Sequence, residues 1–502
     1  MKPNILFLFS DQHKASVVGY EHHPDVRTPN LDRLAREGTR FSRAYCQDAV
    51  CVPSRCSMLT GLYPRTLGCL ANGDRSSVME QVVSLQSALQ ANGYHTAAFG
   101  KRHTFLGCDA GWSEVAGHLP DESEENYLTW IEAKGLGEVF ARDWGAEWGH
   151  APPGSIREGQ PRPCAPLSAQ VSELPPDATM EAFTAQHTIE YIKRRAADGQ
   201  PFFCWANFIR PHQPYTPPKK YMERFDTSKW GQGANVNDGI AKPASFDEPA
   251  DRLPPALRTQ RESVDGTWCL KRCHEDEQLF RHGLACYYAC VEEVDTLIGD
   301  ILDALEQAGL AENTIVIYAS DHGEFVGAHG MMEKCAWGHN VYEDSLRVPW
   351  VVRWPGHIRA NAVCDGLAEL VDLYPTLLDV CGAKRPESAY ALAGQSLVPV
   401  LCDGAPLNRP FTVSENWSQA TVITPRWKYG KWLDPAPIPR DYRSFGDQLF
   451  DLQNDPNEIN NCMHLPEAKN ARAELDNALQ SWLRATPDDG KRALGGLSYE
   501  QS

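Results

Sequence analysis

Asn4-Ile5-Leu6-Phe7-Leu8-Phe9-Ser10-Asp11-Gln12 is an apolar run that ends abruptly in polar groups. Apolar residues without alternation read as a strand buried on both faces, the habit of parallel sheets covered by helices. Residues 4–9 are therefore read as the first strand, delivering Ser10, Asp11 and Gln12 at its carboxyl end. Short apolar runs alternate with amphipathic helical patterns along most of the chain, which is the α/β signature. Helices are expected over residues 28–38, 83–91, 184–197 and 287–309. Further strands are expected over 96–99, 202–208, 314–320 and 349–353.

Two segments, 114–176 and 228–253, are rich in Gly, Pro, Trp and acidic residues and lack clear periodicity. They read as long excursions able to wall a cleft. The character changes after Cys381-Gly382-Ala383-Lys384-Arg385-Pro386. Residues 410–413, 421–423 and 427–433 read as short antiparallel strands and 467–485 as a closing helix. The expected organisation is a large α/β domain over 1–385, with a mostly parallel central sheet, and a smaller α+β domain over 386–502.

At 502 residues the chain is too long for one ordinary core. A net charge of −18 argues against a nucleic-acid partner, which needs a basic face. It leaves room for an anionic substrate, because a local cluster of cations can invert the field inside a cleft. The apolar runs are far too short to span a bilayer, so no membrane partner is expected. The first strand leaves no room ahead of it for a secretory signal, and with Met1 as the native start a cytoplasmic location is expected. The cysteines show no small-domain disulfide framework and are expected as free thiols. Cys269-x3-Cys273 and Cys286-x3-Cys290 mimic metal spacings, but His274 is the only imidazole nearby.

Open parallel sheets bind ligands outside the carboxyl ends of their strands. Four such ends carry polar groups here: Ser10-Asp11-Gln12, Ser320-Asp321-His322, Gly100-Lys101-Arg102-His103 and Arg210-Pro211-His212-Gln213-Pro214. One such Asp alone reads equally well as a helix N-cap. Two at one sheet edge repel unless a cation lies between them. In Cys51-Val52-Pro53-Ser54-Arg55, Pro53 suits the first turn of a helix, whose free N–H groups would point back towards Cys51. Taken alone, Cys51 reads as a buried core thiol.

The whole run, continuing through Leu59-Thr60-Gly61-Leu62-Tyr63-Pro64-Arg65, resembles the signature of the type I, formylglycine-dependent sulfatases. Pro211-His212-Gln213-Pro214-Tyr215, Ser320-Asp321-His322-Gly323-Glu324, Gly327-Ala328-His329-Gly330 with Lys334, and Leu449-Phe450-Asp451-Leu452 stand in that family's order. The resemblance implies an alkaline-phosphatase-like fold and a sulfatase that hydrolyses a sulfate monoester to alcohol and inorganic sulfate. It implies that a formylglycine-generating maturase converts Cys51 to an aldehyde whose hydrate is the nucleophile. One divalent cation is implied on Asp11, Gln12, Asp321 and His322, touched by residue 51. Arg55, Lys101 and His103 would hold and activate the hydrate, and His212 and Lys334 would bind sulfate and serve the leaving oxygen. Many members carry Asp in place of Gln12 and Asn in place of His322. Oxygen-rich ligation favours Ca²⁺, with Mg²⁺ or Mn²⁺ behind it.

The expected substrate is a small sulfated saccharide, on which Trp112, Trp130, Trp144 or Trp148 could stack if they are not core. The competing readings are a phosphonate or phosphate ester hydrolase of the same superfamily, a choline or aryl sulfatase, and a non-catalytic protein that binds sulfated glycans. The phosphonate hydrolases depart from this chain at Gly100-Lys101-Arg102-His103. Oligomeric state is not legible.

Overall fold

Eight strands form one sheet, in the order Ala362–Cys364, Thr39–Phe41, Trp350–Arg353, Thr314–Ser320, Asn4–Asp11, Phe202–Pro211, His95–Gly100 and Glu114–Ala116. The computed structural model describes residues 2–74, 76–104, 107–120, 122–231, 239–334, 340–416, 419–433 and 444–488. Every pairing in this sheet is parallel except the two made by Trp350–Arg353. The first strand shows why its sequence does not alternate. Ile5, Phe7 and Phe9 enter the core on one face, and Leu6 and Leu8 enter the core on the other.

Helices cover both faces. Pro29–Glu37, Met180–Asp198 and the long Glu277–Gln307 helix pack on the Leu6 side through Leu31, Leu34, Phe183, Tyr191, Val294, Ile298 and Ile301. Cys51–Thr60, Leu85–Ala91 and Leu373–Val380 pack on the other side through Val52, Cys56, Leu59, Leu85, Leu89 and Leu377. The expected helices and strands are all present, with ends shifted by a few residues; the long helix begins ten residues earlier than its apolar pattern, at Glu277.

The 114–176 excursion differs from the expectation of irregular chain. It supplies the edge strand Glu114–Ala116 and two helices, Tyr127–Ala133 and Gly137–Trp148. These short helices are held by tertiary contact, Tyr127 and Phe140 packing in the same core as Phe183.

A second sheet is antiparallel, in the order Thr412–Asn416, Gln419–Ile423, Trp427–Trp432 and Gln448–Asp451. The closing helix Lys469–Ala485 sets Leu475, Leu479 and Trp482 against Val413, Val422, Tyr429 and Leu449. Leu397 and Leu401, ahead of this sheet, pack in the core of the large one. Every cysteine among the described residues is a free thiol. Cys269 and Cys273 lie Sγ to Sγ at 3.8 Å, while His274 turns its Nε2 to the Gly330 carbonyl at 2.9 Å. Among the described residues no helix is long and apolar enough to cross a membrane.

Candidate active site

The four strand ends singled out by sequence belong to four adjacent parallel strands, Thr314–Ser320, Asn4–Asp11, Phe202–Pro211 and His95–Gly100. Their carboxyl ends therefore open on one point. Gly100 makes the closest approach possible: at φ 89°, any Cβ there would sit 2.0 Å from the Asn207 carbonyl oxygen of the neighbouring strand. Only glycine fits, and the backbone turns there to present Lys101.

The helix carrying Cys51 starts at Cys51 itself, with Val50 as its N-cap, two residues earlier than the Pro53 start read from sequence. Pro53 still lies in the first turn, where its missing N–H leaves no bond unmade. The Cys51 Sγ lies 3.2 Å from His322 Nε2 and 3.7 Å from Asp11 Oδ1. One donor atom from each of Asp11, Cys51, Asp321 and His322 falls within 4.8 Å of all the others, and all four residues are buried.

The orientation of these donors is fixed from outside. Arg55, wholly buried, bridges the two carboxylates, its Nη2 3.1 Å from Asp11 Oδ2 and its Nε 2.7 Å from Asp321 Oδ2. Lys101 Nζ adds a second contact to Asp11 Oδ2 at 2.6 Å. The Oδ1 atoms are thus left facing His322 Nε2, each at 3.7 Å. His322 donates from Nδ1 to the Gly323 carbonyl at 3.0 Å, which leaves the Nε2 lone pair turned to the cluster. This donor set fits a hard divalent cation: two carboxylates, one imidazole nitrogen and the side chain at 51, in one buried point.

Gln12 stands beside the cluster at φ 66°, its backbone N–H donating to Asp321 Oδ1 at 3.0 Å. Its amide oxygen accepts from Lys334 Nζ at 2.7 Å. Its Nε2 donates to Gln213 Oε1 at 2.8 Å and to Glu324 Oε2 at 2.5 Å. Lys334 is buried and also pairs with Glu333 Oε1 at 3.0 Å. His103 and His212 belong to the same electrostatic field, although neither makes a direct bond to the donors. His212 Nδ1 donates to the Gln213 carbonyl at 2.6 Å, and His103 Nδ1 has no hydrogen-bond partner among the described residues.

The charges divide cleanly. Burial would raise the Asp11 pKa, but Lys101, His212 and Arg55 hold it well below the usual carboxylate range. Burial pushes the Cys51 thiol up to about 12, with Asp11 adding to the rise. For Lys334, burial works against protonation and is outweighed by Cys51, Glu333 and Asp11, so the ammonium form is held firmly. Burial, with Lys101, drives both His103 and His212 well below the usual imidazole value. The result is a pocket with fixed ammonium and guanidinium charge around a buried carboxylate pair.

Sequence reading did not single out Asn207 or Glu324 as site residues. Asn207 Oδ1 takes a 3.2 Å hydrogen bond from Arg55 Nη1, and its signal was a polar residue inside an otherwise apolar strand. Of the four tryptophans considered for sugar stacking, Trp112 is stacked on Phe203 and Trp205, and Trp130 packs on Phe183. Trp148 is the exposed one of the four, at 51% of its surface, and stacks on Trp144.

A sequence model of the sulfatase family matches residues 3–383, and one for the C-terminal part of N-sulphoglucosamine sulphohydrolase matches residues 327–485. An arylsulfatase of Clostridium perfringens (strain 13 / Type A) is 26% identical over 530 aligned residues, covering 99% of this chain and 98% of that protein. Among solved structures, the phosphonate monoester hydrolase of Agrobacterium radiobacter superposes with a TM-score of 0.76 at 24% identity, over 97% of this chain and 96% of that one. BT4656, in complex with its substrate D-glucosamine-2-N,6-O-disulfate, superposes with a TM-score of 0.72 at 21% identity, over 98% of this chain and 100% of that one. The family match takes in all eight strands of the large sheet and every side chain of the site just described, and the chain accordingly belongs to the sulfatase family and is a sulfuric ester hydrolase.

Proposed function

We propose that this protein hydrolyses a sulfate monoester on a small saccharide, after a maturase has converted Cys51 to formylglycine, with one divalent cation held by Asp11, Gln12, Asp321, His322 and residue 51. The observation that carries the reading is the seating of Cys51: a buried thiol within a set of metal-type donors, with Arg55, Lys101 and Lys334 converging on their oxygens. Calcium is the first choice for such an oxygen-rich set, with magnesium or manganese behind it. A bound divalent ion would neutralise charge on the sulfate oxygens, and the aldehyde hydrate would supply an attacking oxygen and a second hydroxyl for release of sulfate.

The chain's own residues do the rest. A sulfate monoester is already an anion, so attack by another anion is opposed by repulsion. Lys101 and Lys334 bring ammonium charge to the place where that repulsion peaks, in a buried setting where it acts strongly. Arg55 keeps both carboxylates turned inward with their outer oxygens bonded. Lys334, and His212 once the negative charge of a bound sulfate favours its protonation, are the groups available to bind sulfate and to give a proton to the departing oxygen.

The saccharide part rests on likeness of fold to BT4656, crystallised with a disulfated glucosamine. The comparable likeness to a phosphonate monoester hydrolase supports a second reading, phosphonate or phosphate ester hydrolysis at the same site. Both are tested on protein produced with a maturase, its Cys51 peptide weighed for replacement of thiol sulfur by aldehyde oxygen. Sulfate release is expected from D-glucosamine-2-N,6-O-disulfate and 4-nitrophenyl sulfate, and is expected to vanish on chelation. Full activity with unmodified Cys51 would refute the formylglycine assignment. A kcat/KM higher on phenyl phosphonate esters than on any sulfate would favour the second reading.

A further inference from the structure

We infer that Glu324 is a positioning residue for both Gln12 and Lys334: its carboxylate fixes which end of the Gln12 amide faces the site and seats the loop that brings in Lys334. The inference rests on the cation reading above and gives a role to a residue that reading leaves without one.

Glu324 lies just beyond the strand Thr314–Ser320 and is fully buried. Its two carboxylate oxygens serve different parts of the site. Oε2 accepts from Gln12 Nε2 at 2.5 Å. Oε1 accepts from the backbone N–H of Val326 at 3.3 Å and from that of Glu333, the residue before Lys334. Lys334 Nζ donates in turn to Gln12 Oε1 at 2.7 Å. A closed ring of bonds thus runs from Glu324 through Gln12 and Lys334 to Glu333 and back.

A carboxamide has a donor end and an acceptor end of nearly the same shape, so its neighbours decide which end goes where. Around Gln12 Nε2 stand Gln213 Oε1 at 2.8 Å, the Tyr215 hydroxyl at 3.3 Å and Glu324 Oε2. The Gln213 amide can turn over, and the Tyr215 hydroxyl can donate as well as accept. An ionised carboxylate only accepts. Glu324 therefore dictates that the Gln12 nitrogen points to it and the oxygen faces Lys334. The oxygen is the end that a hard cation takes as ligand.

Glu324→Gln keeps the size of the side chain and removes this rule. The new amide turns its NH₂ either to Gln12 or to the N–H groups of Val326 and Glu333, and either way donor meets donor. Exchanging both residues, Gln12→Glu with Glu324→Gln, sets a donor opposite an acceptor again and leaves an amide oxygen for the two backbone N–H groups.

The test measures calcium affinity by competition with a chromophoric chelator, or magnesium or manganese affinity where that ion binds wild type more tightly. Four full-length proteins are compared, each produced with a maturase: wild type, Glu324→Gln, Gln12→Glu and the double variant. Glu324→Gln is expected to bind the ion about 10- to 100-fold more weakly, the usual result of removing the group that orients a metal ligand. The double variant is expected to bind at least about ten-fold more tightly than the two single effects combined would give. Unchanged affinity in Glu324→Gln, or two substitutions whose effects simply add, would overturn the role of Glu324 while leaving the cation reading intact. Should Glu324→Gln alone fail to fold, the rescue is read from thermal melts: a double variant that folds supports the role, and one that does not overturns it. A wild type that binds none of the three ions would overturn the cation reading and this inference with it.

Discussion

Lys334 and His212 reach the site from different strand ends, and the structure separates them in a way that sequence did not. Read alone, Lys334 is a solvated loop lysine and His212, between prolines, a turn residue. Lys334 is instead buried, bonded to Gln12 Oε1 at 2.7 Å and Glu333 Oε1 at 3.0 Å. Lys334→Ala should therefore lower kcat/KM by about 10²-fold or more, as for removal of one charged stabiliser of a transition state, and should also lower the melting temperature. His212 is half-buried and tied to the Gln213 carbonyl through Nδ1, so its replacement should spare stability. If His212 is the general acid, His212→Ala will reduce kcat on saccharide sulfates far more than on 4-nitrophenyl sulfate, whose phenolate leaves unaided. Equal reductions on both would assign the acid to Lys334. At this scale the strand-end residues were legible because a motif or an abrupt polar ending marked them. Asn207 was not, because a single polar residue inside an apolar strand gives no sign of the Arg55 guanidinium it meets on folding.

Among the elements, the loop after Thr314–Ser320 is held by a buried charge cluster that the sequence motif contained without explaining. His329, at φ 55°, lies between Glu248, 2.5 Å from its Nδ1, and Asp344, 3.5 Å from its Nε2. Its N–H donates to Ser245 Oγ at 2.9 Å, Arg261 donates to its carbonyl, and Lys14 pairs with Asp344 at 2.6 Å. This cluster pins the 321–334 loop, and with it Lys334, to the 239–261 segment. Burial would lower the His329 pKa, but Asp344 and Glu248 reverse that and hold it at about 9. A folded value above the usual 6.5 means the clamp stabilises fully below about pH 6.5 and is lost as pH rises through about 9. The difference in urea stability between wild type and His329→Gln should thus be largest near pH 6, on the order of 3 kcal/mol, and shrink towards pH 9.5. A difference that stays constant with pH would refute the charged clamp. Elements with long apolar runs or long amphipathic patterns were readable from the chain. Tyr127–Ala133 and Gly137–Trp148 were not, since each is short and held by contacts that no local pattern reports, Tyr127 and Trp130 on Phe183 and Phe140 on Tyr127.

Across the whole molecule, the antiparallel sheet braces the catalytic edge of the large one. The shift in composition after Arg385 marked where strands turn antiparallel, but it could not show where residues pack, and Leu397 and Leu401 return to the core of the large sheet. Nor could it reveal the tie between the two sheets. Lys428, on Trp427–Trp432, is fully buried with its Nζ 2.8 Å from Glu343 Oε1 and 2.7 Å from Glu458 Oε1. Glu343 opens the short helix Glu343–Leu346, and the next two carbonyls, of Asp344 and Ser345, accept from the backbone N–H groups of Glu324 and Gly323 at 2.9 and 2.8 Å. Gly323 is the residue whose carbonyl orients His322. A buried lysine in the second sheet thus supports a donor of the site through a few bonded steps. Burial raises the Glu458 carboxyl to about 7 even with Lys428 beside it, so this pair of acids tolerates poorly the loss of its cation. Lys428→Met should cost about 3–5 kcal/mol of stability, the usual result of stranding a buried charge, and should lower activity at temperatures where the enzyme remains folded. The triple variant Lys428→Met, Glu343→Gln, Glu458→Gln should recover most of that stability, since it removes the stranded charge along with its partner. Urea unfolding of the three proteins decides it: a loss below about 1 kcal/mol in the single variant, within the range of an exposed ion pair, would show that the two sheets do not depend on this contact.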